Sequence, residues 1–346
     1  MVGVGRLAGA RAGGEVLGWG RAAVDPVLRS VVDGLPGSMR RVAGYHFGWW
    51  DEHGDPLDAS GGKALRPVLV LLTAEAVGGD PVAAAPAAAA VELVHNFSLL
   101  HDDVMDGDLT RRHRPTAWSV FGASAAILAG DALLTAALDV LAASGHPSAV
   151  AGMRVLGGAV QELIDGQSAD LAFERRGDVT VAECVAMAEG KTAALLGAAC
   201  ALGGLFGGAD AGVVTSLRAF GRLVGLAFQH VDDLLGIWGD PAVTGKPVHA
   251  DLRTRKKSLP VVAALNSGSP PGEEFAALYR QDGPLADADL VRAADLVDAA
   301  GGRAWSRAQA DELLDHALER LRFAAPDSRV GVELAALARL AAHRDH

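Results

Sequence analysis

Aromatic side chains supply only 5% of this 346-residue chain, with two tyrosines among them. Half of the chain is nevertheless apolar, so its core must be built from Ala, Leu and Val, a mixture that suits closely packed helices. Cysteine is almost absent as well. Cys184 and Cys200 are the only two, which excludes a disulfide-framed scaffold, and with no secretory leader before them they read as free buried thiols of a cytoplasmic protein. Cations are in deficit, 31 Lys and Arg against 42 Asp and Glu, for a net charge of −11, and this excludes nucleic acid as a general partner. Long hydrophobic runs are few. The longest uncharged one, Ala193 to Ala209, has 17 residues of which five are glycine, and it reads as a tightly packed core helix, so no transmembrane segment is expected. Alternation at period two is too short anywhere to predict a sheet. Several catalytic signatures are also missing. Gly190-Lys191-Thr192 would end a phosphate-binding loop only if position 185 were glycine, and it is Val185; no Gly-x-Ser-x-Gly or His-Glu-x-x-His occurs.

Helical periodicity is what the chain does contain. It predicts helices over 22–34, 62–79, 84–106, 117–143, 147–173, 180–206, 209–236, 256–266, 286–300, 303–323 and 329–343, punctuated by Gly, Pro, Asp and Ser. Residues 1–20 read as a disordered leader, and the Pro-rich stretch Ser267 to Asp289 as a surface connection. The expectation is a single all-α domain over 1–346.

Two acidic clusters stand at the ends of apolar helices, Asp102-Asp103-x-x-Asp106 and Asp232-Asp233, 130 residues apart. Asp102 and Asp106 share a helix face, and Ala87 to Leu100 before them carries Glu92 as its only formal charge. Two carboxylates about 4 Å apart repel by about 4 kcal/mol at an effective dielectric of about 20. They also sit at the helix end that favours cations. A divalent ion resolves the conflict, and hard oxygen ligands without nearby Cys or paired His point to Mg2+, or Mn2+ in its stead, sharing its coordination with substrate phosphates. Basic signatures match the acidic ones: Gly61-Gly62-Lys63-Ala64-Leu65-Arg66-Pro67, Arg111-Arg112-His113-Arg114, Gly190-Lys191-Thr192, Gly245-Lys246-Pro247 and Arg253 to Ser258. Acidic and basic clusters in this arrangement describe a diphosphate clamp across a shared cavity.

In this order the motifs resemble the trans-isoprenyl diphosphate synthases, the polyprenyl synthetase family, from about Gly61 to Ala264. The resemblance is carried by Gly-Gly-Lys-x-x-Arg-Pro, His95, Asp102-Asp103-x-x-Asp106 with Arg111-Arg112, Gly166-Gln167, Lys191-Thr192, Gln229 with Asp232-Asp233, Gly239-Asp240, Gly245-Lys246-Pro247 and Asp251-Leu252-Arg253. It implies an antiparallel helical bundle of the isoprenoid synthase type with a deep central cavity, three Mg2+ ions, a homodimer, and condensation of isopentenyl diphosphate with dimethylallyl, geranyl or farnesyl diphosphate.

By position, the resemblance puts Lys63, Arg66, His95 and Arg112 on isopentenyl diphosphate, and Arg111, Lys191, Thr192, Gln229, Lys246 and Lys256 on the allylic diphosphate. Asp102, Asp106 and Asp232 ligate metal, with Asp103 and Asp233 beside them; Asp102, Asp103, Asp106, Lys191 and Asp232 form the catalytic set. One departure stands out: Gly236 occupies the place of the third aspartate of the second cluster, which should cost a ligand or a water anchor. Phe97 and its small neighbour Ser98, below Asp102, resemble the chain-length floor of short-chain synthases, and a geranylgeranyl (C20) product is expected, with farnesyl (C15) second. A terpene cyclase on the same scaffold has little use for Lys63, Arg66, His95 and Arg112 together. A non-catalytic subunit has little use for an intact first cluster, although Gly236 leaves that reading some room.

Overall fold

A chain whose core residues are mostly Ala, Leu and Val buries area by bringing helix backbones close together, and helices dominate the computed structural model. It describes residues 11, 13–57, 62, 64–245, 247–281, 283–325 and 328–343. The helices are α1 (Gly13–Asp33), α2 (Gly37–Phe47), α3 (Leu65–Ala76), α4 (Ala85–Met105), α5 (Ala117–Phe121), α6 (Ala123–Ala142), α7 (Ala149–Phe173), α8 (Val181–Ala188), a π-helical turn (Glu189–Ala193), α9 (Ala194–Phe206), α10 (Ala211–Trp238), α11 (Pro241–Thr244), α12 (Ala250–Arg253), α13 (Leu259–Leu265), α14 (Pro270–Tyr279), α15 (Asp287–Ala299), α16 (Gly302–Ala324) and α17 (Arg329–Ala342). The one hairpin among the described residues pairs β1 (Thr110–Arg111) with β2 (Arg114–Pro115). The architecture is all-α, as the periodicity predicts.

The chain divides into two compact units, the first comprising residues 1–158, 198–218 and 320–337, the second 159–197, 219–319 and 338–346. In the first unit α4 is the central element. It packs most extensively against α6, then against α3 and α1, and most of its length from Ala85 to Leu100 is buried. Pro86 lies in its first turn, where a missing N–H costs nothing. In the second unit, Ile237, Val261, Phe275, Leu290 and Val297 of α10, α13, α14 and α15 form one apolar cluster. Phe173, Val179, Cys184, Met187 and Val262 form another. Both thiols are free and buried, and burial pushes them up from their ordinary range.

Several expectations need correction. Of residues 1–20, residues 1–10 and 12 lie outside the described residues, whereas 13–20 are the first turns of α1, with Val16 buried and Gly20 so close to Val68 that a Cβ would overlap it. Ser267 to Asp289 is not merely a surface connection. Ser269 accepts from the Gly272 N–H at 3.3 Å and caps α14, Pro270 and Pro271 fill the donor-free first turn, and Phe275 is completely buried. Helix 117–143 breaks at Gly122 (φ +87°), and α2 lies in a stretch for which no helix is predicted. The stretch Val181–Phe206, together with α6 and α10, is long and apolar enough by length and composition to cross a membrane. Its most apolar window is 72% buried within the protein, against 33% for α6.

A buried ion network holds the first unit together. Glu333 on α17 accepts from Arg11 at 2.9 Å (backbone N), 3.1 Å (Nε) and 2.7 Å (Nη2) and from Arg329 at 2.7 Å. Arg329 and Arg11 also reach Glu75 of α3. Burial alone would raise the Glu333 carboxyl, but the donors from Arg11 and Arg329 outweigh it and hold the group below its ordinary 4.5. Its contribution is therefore complete above pH 4.5 and fades as the pH falls. Glu333→Ala should cost about 1–3 kcal/mol of stability by taking the buried acceptor away from Arg11 and Arg329, which keep only Glu75. Chemical denaturation at a series of pH values below 6 should show a shallower acid limb in the variant.

Candidate active site

In the first unit the site begins where α4 ends. Asp102 is half-buried and Asp106 exposed, whereas Asp103 is only 1% exposed. Burial raises Asp103, and Arg111 opposes this by donating from Nε to Oδ1 at 2.7 Å. Arg111 is thus committed in part to its own carboxylate. The hairpin that carries it turns through Arg112 (φ 52°) and His113 (φ 61°), two left-handed residues of the sort a type I′ turn ordinarily draws from Asn and Gly. Strain of this kind persists where its surroundings over-determine it. Gly62 is part of those surroundings: at φ +82° it lacks the Cβ that would lie 2.7 Å from Nη2 and 2.9 Å from Cζ of Arg112.

Around Arg112 the other basic groups converge. Arg66 Nη1 lies 3.2 Å from His95 Nε2. A guanidinium only donates, so Nε2 accepts and Nδ1 carries the proton. Burial first, then Arg66, Arg112 and Arg111, hold His95 well below its usual value and keep it neutral. Beneath them Glu92 is fully buried, raised by burial and pulled back by Arg66, Asn96 and Arg112. Asn96 donates to its carbonyl at 2.8 Å and to Oε1 at 3.1 Å. Sequence reasoning gives no role to Glu92, nor to His46, which burial and then Arg112 and Arg111 push down to about 3. Phe97 lies one turn below His101, ring centroids 4.8 Å apart, and is 6% exposed. His101 in turn sits against Gly130 of α6, with Nε2 3.0 Å from the Ile127 carbonyl. Ser98 turns its hydroxyl back onto the His95 carbonyl at 2.8 Å.

In the second unit three glycines bring backbones together. A Cβ on Gly166 would overlap the Lys191 nitrogen, one on Gly190 would lie 2.6 Å from the Glu162 carbonyl, and one on Gly225 2.6 Å from Ala193 Cα. Lys191 and Thr192 therefore sit in the π turn, locked between α7 and α10. Lys191 pairs with Asp170 at 2.6 Å, a partner the sequence motifs do not reveal. Thr192 donates to Gln229 at 2.5 Å, and Gln229 donates to Asp233 Oδ1 at 2.7 Å. The Leu259 N–H reaches the other Asp233 oxygen at 2.8 Å. Asp233 thereby ties α10 to the start of α13, and it is pushed up to about 7 by burial, with Lys256 opposing. Asp232, beside it, is exposed.

The space beside Gly236, which stands in the place of the third aspartate, is filled by another residue. A Cβ there would overlap Oδ2 of Asp251 and lie 2.5 Å from its Cγ. Lys256, which burial alone would lower, is held above its usual range by Asp251, Asp233, Asp170 and Asp232. Lys63 and Lys246 lie outside the described residues. Among the described residues no three His, Cys, Asp or Glu side chains form a ready cage for an ion. All-oxygen carboxylates suit Mg2+, which keeps waters and shares its coordination with phosphates.

The model of the polyprenyl synthetase family matches residues 49–296. The chain belongs to that family. It is 49% identical to the (2E,6E)-farnesyl diphosphate synthase of Mycobacterium tuberculosis over 93% of this chain and 91% of that protein. To the geranylgeranyl diphosphate synthase of the same species it is 47% identical over 94% and 92%. The crystal structure of a polyprenyl synthetase from Streptomyces coelicolor A3(2) superposes with a TM-score of 0.91 at 46% identity, covering 95% of this chain and 99% of that one. The chain is thus a short-chain trans-prenyltransferase on the all-α isoprenoid synthase fold.

The different tasks of the paired aspartates can be separated without substrate. In metal-free synthase, Asp233→Ala should lower the melting temperature by several degrees, consistent with about 1–3 kcal/mol for orphaned buried donors. Asp232→Ala should leave it unchanged or slightly higher, since it removes an exposed charge from an acidic cluster. Thermal denaturation in EDTA reads both.

Proposed function

We propose that the synthase adds isopentenyl diphosphate to an allylic diphosphate and that its principal product is geranylgeranyl diphosphate (C20). The observation that carries the reading is the group formed by Arg66, neutral His95 and Arg112, backed by buried Glu92, in the same unit as the half-buried Asp102 and the exposed Asp106. One diphosphate needs the cations, and a second needs metal on the carboxylates. A cyclase, which handles a single diphosphate, gives the Arg66 group no task.

Mg2+ held by Asp102, Asp106 and Asp232 would neutralise charge growing on the departing diphosphate. The residues themselves do the remaining work. Lys191, Thr192, Gln229 and Lys256, with Arg111, Lys246 and the supporting Asp103, fix the allylic diphosphate. Because these donors and charges are already in place before the C–O bond breaks, little reorganisation is needed as charge separates. Lys63, Arg66, His95 and Arg112 hold isopentenyl diphosphate so that its alkene attacks the allylic carbon. The leaving diphosphate then takes the proton. The small apolar side chains of α4 keep water from the cation.

Phe97, wedged against His101, is the proposed floor for the growing tail. The C15 alternative is favoured by the farnesyl diphosphate synthase among the relatives. We further propose a cytoplasmic homodimer, supported by two reduced buried thiols and by exposed Ile127 and Leu128 on α6.

An assay with isopentenyl diphosphate, each allylic primer and Mg2+, with chain-length analysis of the products, tests the function directly. Asp102→Ala should lower turnover by about 100-fold or more, the usual scale for losing one pre-positioned charge stabiliser; near-normal turnover at saturating Mg2+ would remove it from the metal set. Arg112→Ala should raise the KM for isopentenyl diphosphate far more than that for the primer, and equal effects would show that the two substrate sites are wrongly divided. Phe97→Ala should shift products toward C25 and longer, since each methylene that enters the new space gains about 0.8 kcal/mol. An unchanged product pattern in the folded variant would return Phe97 to the core.

A further inference from the structure

The second acidic cluster has an aspartate fewer than its family pattern, and the structure indicates where the missing carboxylate comes from; this inference rests on the reading above, that the cluster serves a metal-bound diphosphate. Gly236 follows Asp232 by four residues, so a side chain at 236 would rise on the same face of α10. That space is taken. The Asp251 carboxylate lies against the Gly236 Cα, so that a Cβ would be 2.5 Å from Cγ, 2.9 Å from Oδ1 and in overlap with Oδ2. Asp251 is 8% exposed and belongs to α12, whose C-terminal turn is closed by the Lys256 N–H donating to the Asp251 carbonyl at 2.9 Å.

We propose that Asp251 supplies the third carboxylate of the second cluster from a different helix, as a positioning residue for the metal's water shell and for the Lys256 ammonium. The glycine and the aspartate fit together: with no Cβ at 236, the Asp251 carboxylate from α12 occupies the space on that face of α10. Asp233 is already engaged, accepting from Gln229 at one oxygen and from the Leu259 N–H at the other. Tyr279 Oη is buried without a hydrogen-bond partner among the described residues, and its hydroxyl is raised by burial and then by the Asp251 charge. Lys256 has Asp251 as the foremost of the four carboxylates that keep it charged.

The test is calorimetric titration of Mg2+ into the full chain in the presence of inorganic pyrophosphate, with circular dichroism of each metal-free variant. Asp251→Asn preserves shape and removes charge, and it should raise the half-saturating Mg2+ concentration about 10- to 100-fold, the usual effect of losing a group that orients a metal's ligands. Gly236→Ala keeps the carboxylate but pushes it aside, and should raise the Mg2+ requirement in the same direction. Combining Asp251→Ala with Gly236→Asp returns the carboxylate to α10 and should bring the requirement back toward wild type. A wild-type Mg2+ requirement in Asp251→Asn overturns the proposal. So does a folded double variant no better than Asp251→Ala alone; if the double variant does not fold, Gly236→Ala decides, and an unchanged requirement there overturns it. A wild-type protein that shows no pyrophosphate-dependent Mg2+ uptake would instead overturn the diphosphate reading itself.

Discussion

Charge buried without its counter-charge is the constraint on which the arrangement depends. Moving an ion out of water costs several kcal/mol unless partners replace the lost solvent. The chain meets this cost locally, pair by pair: Asp103 with Arg111, Glu92 with Arg66 and Arg112, Asp170 with Lys191, and Asp233 and Asp251 with Lys256. Each pairing leaves one member partly turned to solvent. On the function proposed, a substrate diphosphate would meet cations that are already oriented and only partly compensated. A net charge of −11 is no obstacle to binding anions, because the cations that matter are held where the surrounding acid supports them.

The same pairings explain what sequence could and could not disclose. Asp102, Asp106, Arg66, His95 and Arg112 were legible because their residue types are costly in an apolar helical setting and their spacing places them on common faces. The glycines before Lys63 were legible as part of a basic motif, but the group that approaches Gly62, the Arg112 guanidinium, was not. Glu92, Asp170 and Asp251 were not legible in these roles. A lone carboxylate within a helix looks the same whether it faces water or underpins a guanidinium, and only tertiary contact tells the two apart.

Fold legibility followed a similar rule. The long helices were readable from apolar periodicity, whereas α14 was hidden by Ser269-Pro270-Pro271-Gly272, a string with the composition of a loop that serves as a capped helix start. The doublet Arg112-His113 was misleading in the opposite sense. Nothing in an arginine and a histidine announces two left-handed residues, and the hairpin exists because its position is enforced from outside, by Arg111 on Asp103 and by the space left at Gly62.

The π turn at Glu189–Ala193 has a consequence for how such a site can change over time. A π turn holds one residue more than the α turn it replaces, so removing any one residue between 189 and 193 would give a continuous helix that is locally easier to form. Because that α turn advances through about the same angle as the π turn it replaces, α8 and α9 would keep their relative faces, and the Thr180–Glu183 capping box and the Gly225–Ala193 contact could both survive. What would change lies within the turn, where Lys191 and Thr192 could no longer both keep their places toward Asp170 and Gln229. The extra residue therefore serves the side chains it presents rather than the packing of the helices on either side.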